Sequence, residues 1–428
     1  MMGRPERQLS PSLSESTLQD ISKRNGVRQT ALPHNFEHID VLCFGGEDWW
    51  YHNRGHIDMQ LMRRFARLGT TIYINSIVMQ KPKISQGKKF LQKLSRKAKS
   101  IFTGLKKTDA GFWAYSPFSL PAYHLRFGRA VNNILLYLQV SGVSKKLGLH
   151  NPIVWVACPV ACDVAIQLKK GPLVYQRTDR YEEYPNVDSN VIRKYDQKLK
   201  TSADLTLFVN SYLYEQERSE CKNALLIDHG VDYAMFATAE RDPYKPEDIA
   251  NIPGPIVGFF GAIDDHTSDI GFIEKVADLL PQMSFVFVGN ASSDVSGLKS
   301  KRNVRLLGQK PYEQVPHYGK CFDVAIMAWR QNRWIEACNP IKLKEYLALG
   351  KPIVSTPFTE LQKYRDVVYE AATPEEFAAC IRKACSEDGP EATAKRRQKV
   401  AQDSWDHKAK LVLEELFAKA QTPARISQ

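Results

Sequence analysis

Short apolar runs ending in glycine or a polar turn alternate with stretches of helical apolar spacing along most of this chain, and the alternation breaks once and restarts. The first series opens at His38 with IDVLCFGG, continues through HIDMQLMRRFARLG, a helical pattern closed by Gly69, and returns to a strand at TTIYINSIV. Further runs follow at PIVWVAC (152–158), PLVYQRTD (172–179), ADLTLFVN (203–210) and LLIDHGVD (225–232). The polar, proline-bearing stretch ERDPYKPEDIANIPG interrupts the pattern. PIVGFFGA, a helix near 270–280, MSFVFVGN, VRLLGQ, FDVAIMAW, a helix at 340–349 and KPIVSTP then repeat it. Strands that are apolar throughout are buried on both faces, and when helices separate them they form parallel sheets. The prediction is an α/β chain of two Rossmann-like, doubly wound parallel-sheet domains facing a cleft, with ligands at the carboxyl ends of the strands. At 428 residues the chain is long enough for two such cores.

The net charge of +12 is concentrated. Between Asp58 and Asp109 there are thirteen basic residues and no acidic one, while the remainder is close to neutral. Within that window GKKFLQKLSRKAKSIFTGLKK (87–107) puts Phe90, Leu91, Leu94, Ala98, Ile101, Phe102 and Leu105 on one helical face. Lys88, Lys89, Lys93, Arg96 and Lys97 occupy the rest. A basic segment of this kind, spanning 81–107, is expected to lie in an anionic membrane surface; a helix packed on the core with a solvated basic face would share its apolar pattern. No nucleic-acid-reading module is visible, so no nucleic-acid partner is expected. Residues 1–35 are polar and lack an apolar signal core, and they read as a flexible leader. No apolar run reaches the ~20 residues of a bilayer span. The eight scattered cysteines read as buried, reduced thiols, and Cys158 and Cys162 have no second pair at zinc spacing.

Four pieces in order resemble one family. VGFFGAIDDHTSDIGFIEKVADLLPQMSFVFVGN is similar to the opening of the donor domain of family-4-like (group 1) GT-B glycosyltransferases. LLIDHGVDYAMF resembles their interdomain segment, NPIKLKEYLALGKPIVSTP their donor-site helix, and SWDHKAKLVLEEL their last helix. The resemblance implies an acceptor domain at 36–240, a nucleotide-sugar donor domain at 250–404 and a helix at 405–428 crossing back to the first domain. It also implies transfer of a sugar from a nucleotide diphosphate, UDP favoured, in bacterial polysaccharide assembly. With the basic segment, the acceptor is expected to be a lipid-linked glycan at the inner face of the cell membrane.

The residues suit that chemistry. Asn339 is placed as an N-cap and Pro340 in the first turn of IKLKEYLAL, whose free amides can meet a phosphate. Lys342 can neutralise diphosphate oxygens, and Glu345, three residues on, can accept the ribose hydroxyls. Gly258 and Gly261 bracket the donor-side loop, as glycines permit close backbone approach. Retaining members of the family carry a Glu eight residues before the second; here that position is Ala337, and Glu336 is expected to fill the role. Both stereochemical courses are compatible with this shift. Asp179, at the carboxyl end of a strand, is the expected catalytic carboxylate, the alternative being a turn or capping aspartate. The loop FGGEDWWYHNRGHI supplies acceptor-side candidates: Gly45, Gly46, Asp48, His52 and Arg54. Gly55 between His52 and His56 argues against a helical metal pair, and neither metal nor cofactor is expected. A sugar-nucleotide epimerase or an inactive scaffold of the same fold are the competing functions.

Overall fold

The computed structural model describes residues 38–51, 55–77, 79, 88–120, 122–123 and 125–418, with the backbone alone for 88–94. Its first sheet contains β1 (Val41–Phe44), β2 (Thr71–Ile74), β3 (Lys106–Lys107), β4 (Trp113–Tyr115), β5 (Ile153–Val156), β6 (Leu173–Arg177), β7 (Leu205–Phe208) and β8 (Ala224–Leu226). Their order is β3-β4-β2-β1-β5-β6-β7-β8, and every pairing except β3 with β4 is parallel. The second sheet contains β9 (Ile256–Phe260), β10 (Ser284–Val288), β11 (Val304–Gly308), β12 (Val324–Met327), β13 (Ile353–Ser355) and β14 (Tyr369–Glu370), all parallel, in the order β11-β10-β9-β12-β13-β14. The central strands VLCF, IVWV and IVGFF are buried at every position, because helices cover both faces.

Both sheets reverse direction beside their first strand. In the first, β2 and β5 flank β1; in the second, β10 and β12 flank β9. A crevice opens at such a switch point beyond the carboxyl ends of the strands. The loops after β1 and β9 are the two glycine loops of the sequence.

The chain finishes on its first domain. Trp405, Ala409, Val412 and Leu413 of the helix Trp405–Ala418 enter the core formed with the helix Ile57–Phe65. Arg67 adds an ion pair to Asp406 at 2.9 Å.

Three local expectations are corrected. The helix after β1 stops at Phe65, and Gly69 serves contact: a Cβ there would lie 2.4 Å from the Ile39 carbonyl oxygen. The basic helix covers Lys88–Thr103, and Lys106 and Lys107 pair instead with β4 as an edge strand. Lys97 turns inward to donate to the Ser76 carbonyl at 2.9 Å; burial holds its pKa down, while nearby Asp48 acts the other way. Arg96 and Phe102 are exposed, and the side chains of Lys88, Lys89, Phe90 and Lys93 lie outside the described residues. All eight cysteines are free thiols. Among the described residues no helix is long and apolar enough to cross a membrane.

Candidate active site in the interdomain cleft

The donor-side wall is built on the helix Ile341–Leu349, buried from Leu343 onwards and stopped by Gly350 in the left-handed conformation (φ 81°). Lys342, half-buried, carries its ammonium 4.8 Å from the ring centre of Trp329 and 5.5 Å from that of Phe259. Gly261 follows β9 at φ 140°, and a Cβ there would lie 2.8 Å from Lys342 Cε, so glycine leaves the lysine its channel. Burial lowers the Lys342 pKa, opposed by Cys338, Glu345 and Asp264. Glu345 accepts a hydrogen bond from the Tyr312 hydroxyl at 2.9 Å. Burial pushes its carboxyl up to about 7, while Tyr312 and Lys342 pull the other way.

That raised value has a stability cost of known sign. The unfolded carboxyl loses its proton near its ordinary value of 4.5 and the folded one only near 7, so stability falls as pH rises between them. Glu345→Gln removes that loss. It is expected to raise stability by about 3 kcal/mol at pH 8, with little effect at pH 4, while weakening nucleotide binding. Melting temperatures of the two proteins at both pH values check this.

The start of the helix differs from expectation. Pro340, extended at ψ 120°, occupies the N-cap itself and no side chain caps the helix. Asn339 is drawn to the first domain, where its amide donates to the Val209 carbonyl and to Asp228 Oδ1, each at 2.6 Å. Gly258 lies within β9, where a Cβ would fall 2.1 Å from the Phe322 ring. It is a packing glycine, and of the two only Gly261 borders Lys342.

Opposite stands Asp179, two residues beyond β6, and burial pushes its carboxyl up to about 6, with His56 and Arg177 opposing. Its loop rests on Arg177, only 1% exposed, which donates to the Asp179 carbonyl at 2.8 Å and pairs with Glu182, Asp196 and Glu217. Cys338 links the two walls electrically: burial and then Asp179 push its thiol up, and Lys342 acts against them.

The acceptor-side glycine loop is held from below. The Gly46 amide and the Tyr73 hydroxyl donate to Asp58 Oδ2 at 2.8 and 2.9 Å, and Gly45 lies against the Tyr73 ring, 2.0 Å from where its Cβ would be. Asp48 accepts from the Trp50 amide at 3.1 Å and the Ser100 hydroxyl at 2.7 Å, which staples this loop to the basic helix. Gly45, Gly46 and Asp48 thus shape the loop, and His52 and Arg54 lie outside the described residues.

Glu336 is engaged by a residue of the first domain. Its carboxylate pairs at 3.0 Å with Arg180, which also donates to the Arg333 carbonyl and to Gln216. Arg333 pairs with Glu183 at 3.2 Å, and Tyr184 meets Trp334 at 5.2 Å. Ala337, the position expected for the family's carboxylate, is fully buried with Phe208 and Leu213. Glu336 therefore joins the domains next to Asp179. Arg180→Glu is expected to lower turnover roughly fivefold with donor affinity kept, and adding Glu336→Arg is expected to recover most of it, as suits a partly exposed pair. Recovery in the double variant, read by steady-state kinetics, distinguishes the pair from two unrelated losses.

Several residues escaped the sequence. Lys344, 1% exposed, donates to Asp228 Oδ2 at 2.9 Å, Asp403 Oδ2 at 2.6 Å and the His229 carbonyl at 2.7 Å. Asp228 takes a left-handed backbone (φ 56°), which aspartate tolerates. Tyr312, Trp329, Arg177, Arg180 and Asp58 gave no local signal either. Among the described residues no group of three or more His, Cys, Asp or Glu could hold a metal ion.

Residues 254–387 match the family model described as "Glycosyl transferases group 1". A Bacillus subtilis (strain 168) protein provisionally named teichuronic acid biosynthesis glycosyltransferase TuaH is 26% identical over 255 residues, covering 55% of this chain and 64% of that relative's length. Sucrose-phosphate synthase from Thermosynechococcus elongatus superposes with a TM-score of 0.65 at 14% identity, covering 90% of this chain and 99% of that one. Anabaena Alr3699/HepE in complex with UDP and glucose gives 0.62 at 13% identity, covering 89% and 100%. The chain has the GT-B fold, and within its C-terminal domain residues 254–387 match the group 1 glycosyltransferase family.

Proposed function

We propose that this chain is a glycosyltransferase that moves a sugar from a nucleoside diphosphate, UDP favoured, to a membrane-associated, lipid-linked glycan in polysaccharide assembly. The observation that carries this is Lys342, given its channel by Gly261, with Glu345 three residues on along the same helix and Cys338 close enough to Lys342 and Asp179 to feel both charges. Lys342 and the amides at the start of its helix neutralise the diphosphate, and Glu345 accepts the ribose hydroxyls. Asp179 takes the proton of the acceptor hydroxyl as its oxygen bonds to the anomeric carbon and UDP leaves with the electrons of the broken bond. Glu336 acts indirectly, by holding Arg180 and with it the Asp179 loop. Charge neutralisation rests on Lys342 and helix amides, without a metal. The UDP-favoured donor follows Alr3699/HepE, whose structure contains UDP and glucose, and the polysaccharide setting follows the name of TuaH. The basic helix Lys88–Thr103 holds the enzyme at the inner face of the cell membrane.

A thermal-shift screen against UDP-, GDP- and dTDP-sugars tests the donor assignment. At a hundredfold excess over Kd, a UDP-sugar is expected to stabilise the protein by about 2.7 kcal/mol. Lys342→Ala should abolish that shift. No shift with any nucleotide sugar would leave an inactive scaffold, and conversion of a UDP-sugar to its epimer without acceptor would make the chain an epimerase.

A further inference from the structure

Beyond the basic helix, a second element of the first domain presents an apolar face that is exposed among the described residues. The helix Arg126–Lys146 buries Leu136 and exposes Phe127 at 81%, Ile134 at 62% and Leu138 at 62%. At ~100° per residue these three fall within about 40° of one another, opposite Leu136, and they extend over roughly 16 Å. The segment before the helix adds Phe118 and Leu125, both exposed. Phe118 is clasped to the helix by Gln139, which accepts from its amide and donates to its carbonyl, each at 2.9 Å. An exposed apolar stripe of this extent marks an interaction surface.

The charge around the stripe selects its partner. From Met59 to Cys162 the chain carries seventeen basic residues and a single acidic one, Asp109. The stripe helix has no acidic residue, and its Arg126, Lys145 and Lys146 are exposed. Most of the large apolar side chains exposed among the described residues fall in this same window. The basic helix Lys88–Thr103 is fixed beside it: Ser100 bonds Ser116, while Gln139 of the stripe helix bonds Tyr115 at 3.2 Å. Phe102 of that helix is 90% exposed. A nucleic acid would answer the charge but leave the aromatic and aliphatic side chains in water. An anionic bilayer answers both, with phosphates at the basic groups and acyl chains at the stripe.

We infer that Phe127, Ile134 and Leu138 form a bilayer-inserting stripe that, with the basic helix beside it, docks this domain on an anionic lipid surface. Charge attracts and the stripe anchors. Through Ser100 the basic helix is tied to Asp48 of the acceptor-side glycine loop, so the docked surface and the acceptor entrance are mechanically continuous. The inference rests on the proposed membrane-associated acceptor but concerns lipid alone.

Flotation with phosphatidylglycerol and with phosphatidylcholine vesicles, at 0.1 and 0.5 M salt, tests it on the full chain. The wild type is expected to bind the anionic vesicles only and to keep part of that binding at 0.5 M salt. The triple variant F127S/I134S/L138S is expected to bind them at low salt and lose roughly tenfold or more at high salt, where screened charge no longer suffices. Its thermal melt should match the wild type, because the three side chains are exposed. Salt-resistant binding unchanged in the variant overturns the inference, as does a wild type that binds no vesicle. So does a stripe-dependent dimer in sedimentation with vesicle binding intact, which would assign the face to a second copy. UDP-sugar binding without vesicles reports separately on the donor site, so either proposal can fail alone.

Discussion

Asp179→Asn is expected to lower turnover by roughly 100- to 10,000-fold while leaving donor affinity near the wild-type value. In the proposed site this side chain serves the acceptor hydroxyl and Lys342 the diphosphate, so its loss should fall on the chemical step. Asparagine keeps the size and removes the basic oxygen. Arg177 holds this loop through the backbone carbonyl of residue 179, a contact the substitution preserves. The pH profile gives a second signature. Burial pushes the Asp179 carboxyl up to about 6, and the base works only unprotonated. Turnover in the wild type should therefore fall about tenfold per pH unit below that value and level off above it. The residual activity of the variant should lack this limb. A purely structural Asp179 would instead change the melting temperature and leave the limb in place.

Lys344→Met is expected to destabilise the protein by about 3–5 kcal/mol, chiefly the cost of leaving the partly buried Asp228 carboxylate without its cation, since Asp403 keeps Lys408. Three oxygens depend on this ammonium: Asp228 Oδ2, Asp403 Oδ2 and the His229 carbonyl. Although burial alone would raise it, Lys344 holds the Asp228 carboxyl down to about 2. A depressed carboxyl stabilises the fold above its unfolded pKa, and that contribution is lost as pH falls toward the folded value. The deficit of the variant should therefore be full at pH 7 and shrink as pH falls from about 4 to about 2. Urea unfolding at pH 7 and pH 3 measures it. Asp228 also holds Asn339, so the variant should bind donor less well even where it remains folded.

The two sheets were legible because their strands are apolar runs buried on both faces, and such runs separated by helical periods have few other solutions. The donor helix was legible for a related reason: its lysine and glutamate sit three apart on a short helix between Pro340 and Gly350. What the sequence hid were partners far along the chain. Asn339 looks like a cap because capping is the local preference of asparagine, but Val209 and Asp228, 130 and 111 residues away, are better partners once the domains meet. Lys344 looks like a solvent lysine until residues 228 and 403 converge on it. The basic segment was over-read because periodicity cannot show where a helix stops, and β4 recruits Lys106 and Lys107 as a strand. The stripe on Arg126–Lys146 has the apolar spacing of a core-facing helix, so only its exposure sets it apart. Arg180, 156 residues away in the sequence, was equally hidden as the partner of Glu336.

UDP release from UDP-sugars by the wild type, Lys342→Ala and Asp179→Asn, followed from pH 5 to 9, tests the two-walled site most directly. Release should occur in the wild type with an acid limb near 6, as burial of Asp179 requires. Lys342→Ala should need far more donor, and Asp179→Asn should bind donor normally but release little. Wild-type rates in both variants, or release insensitive to pH below 6, would contradict the assignment of diphosphate binding to one wall and proton removal to the other.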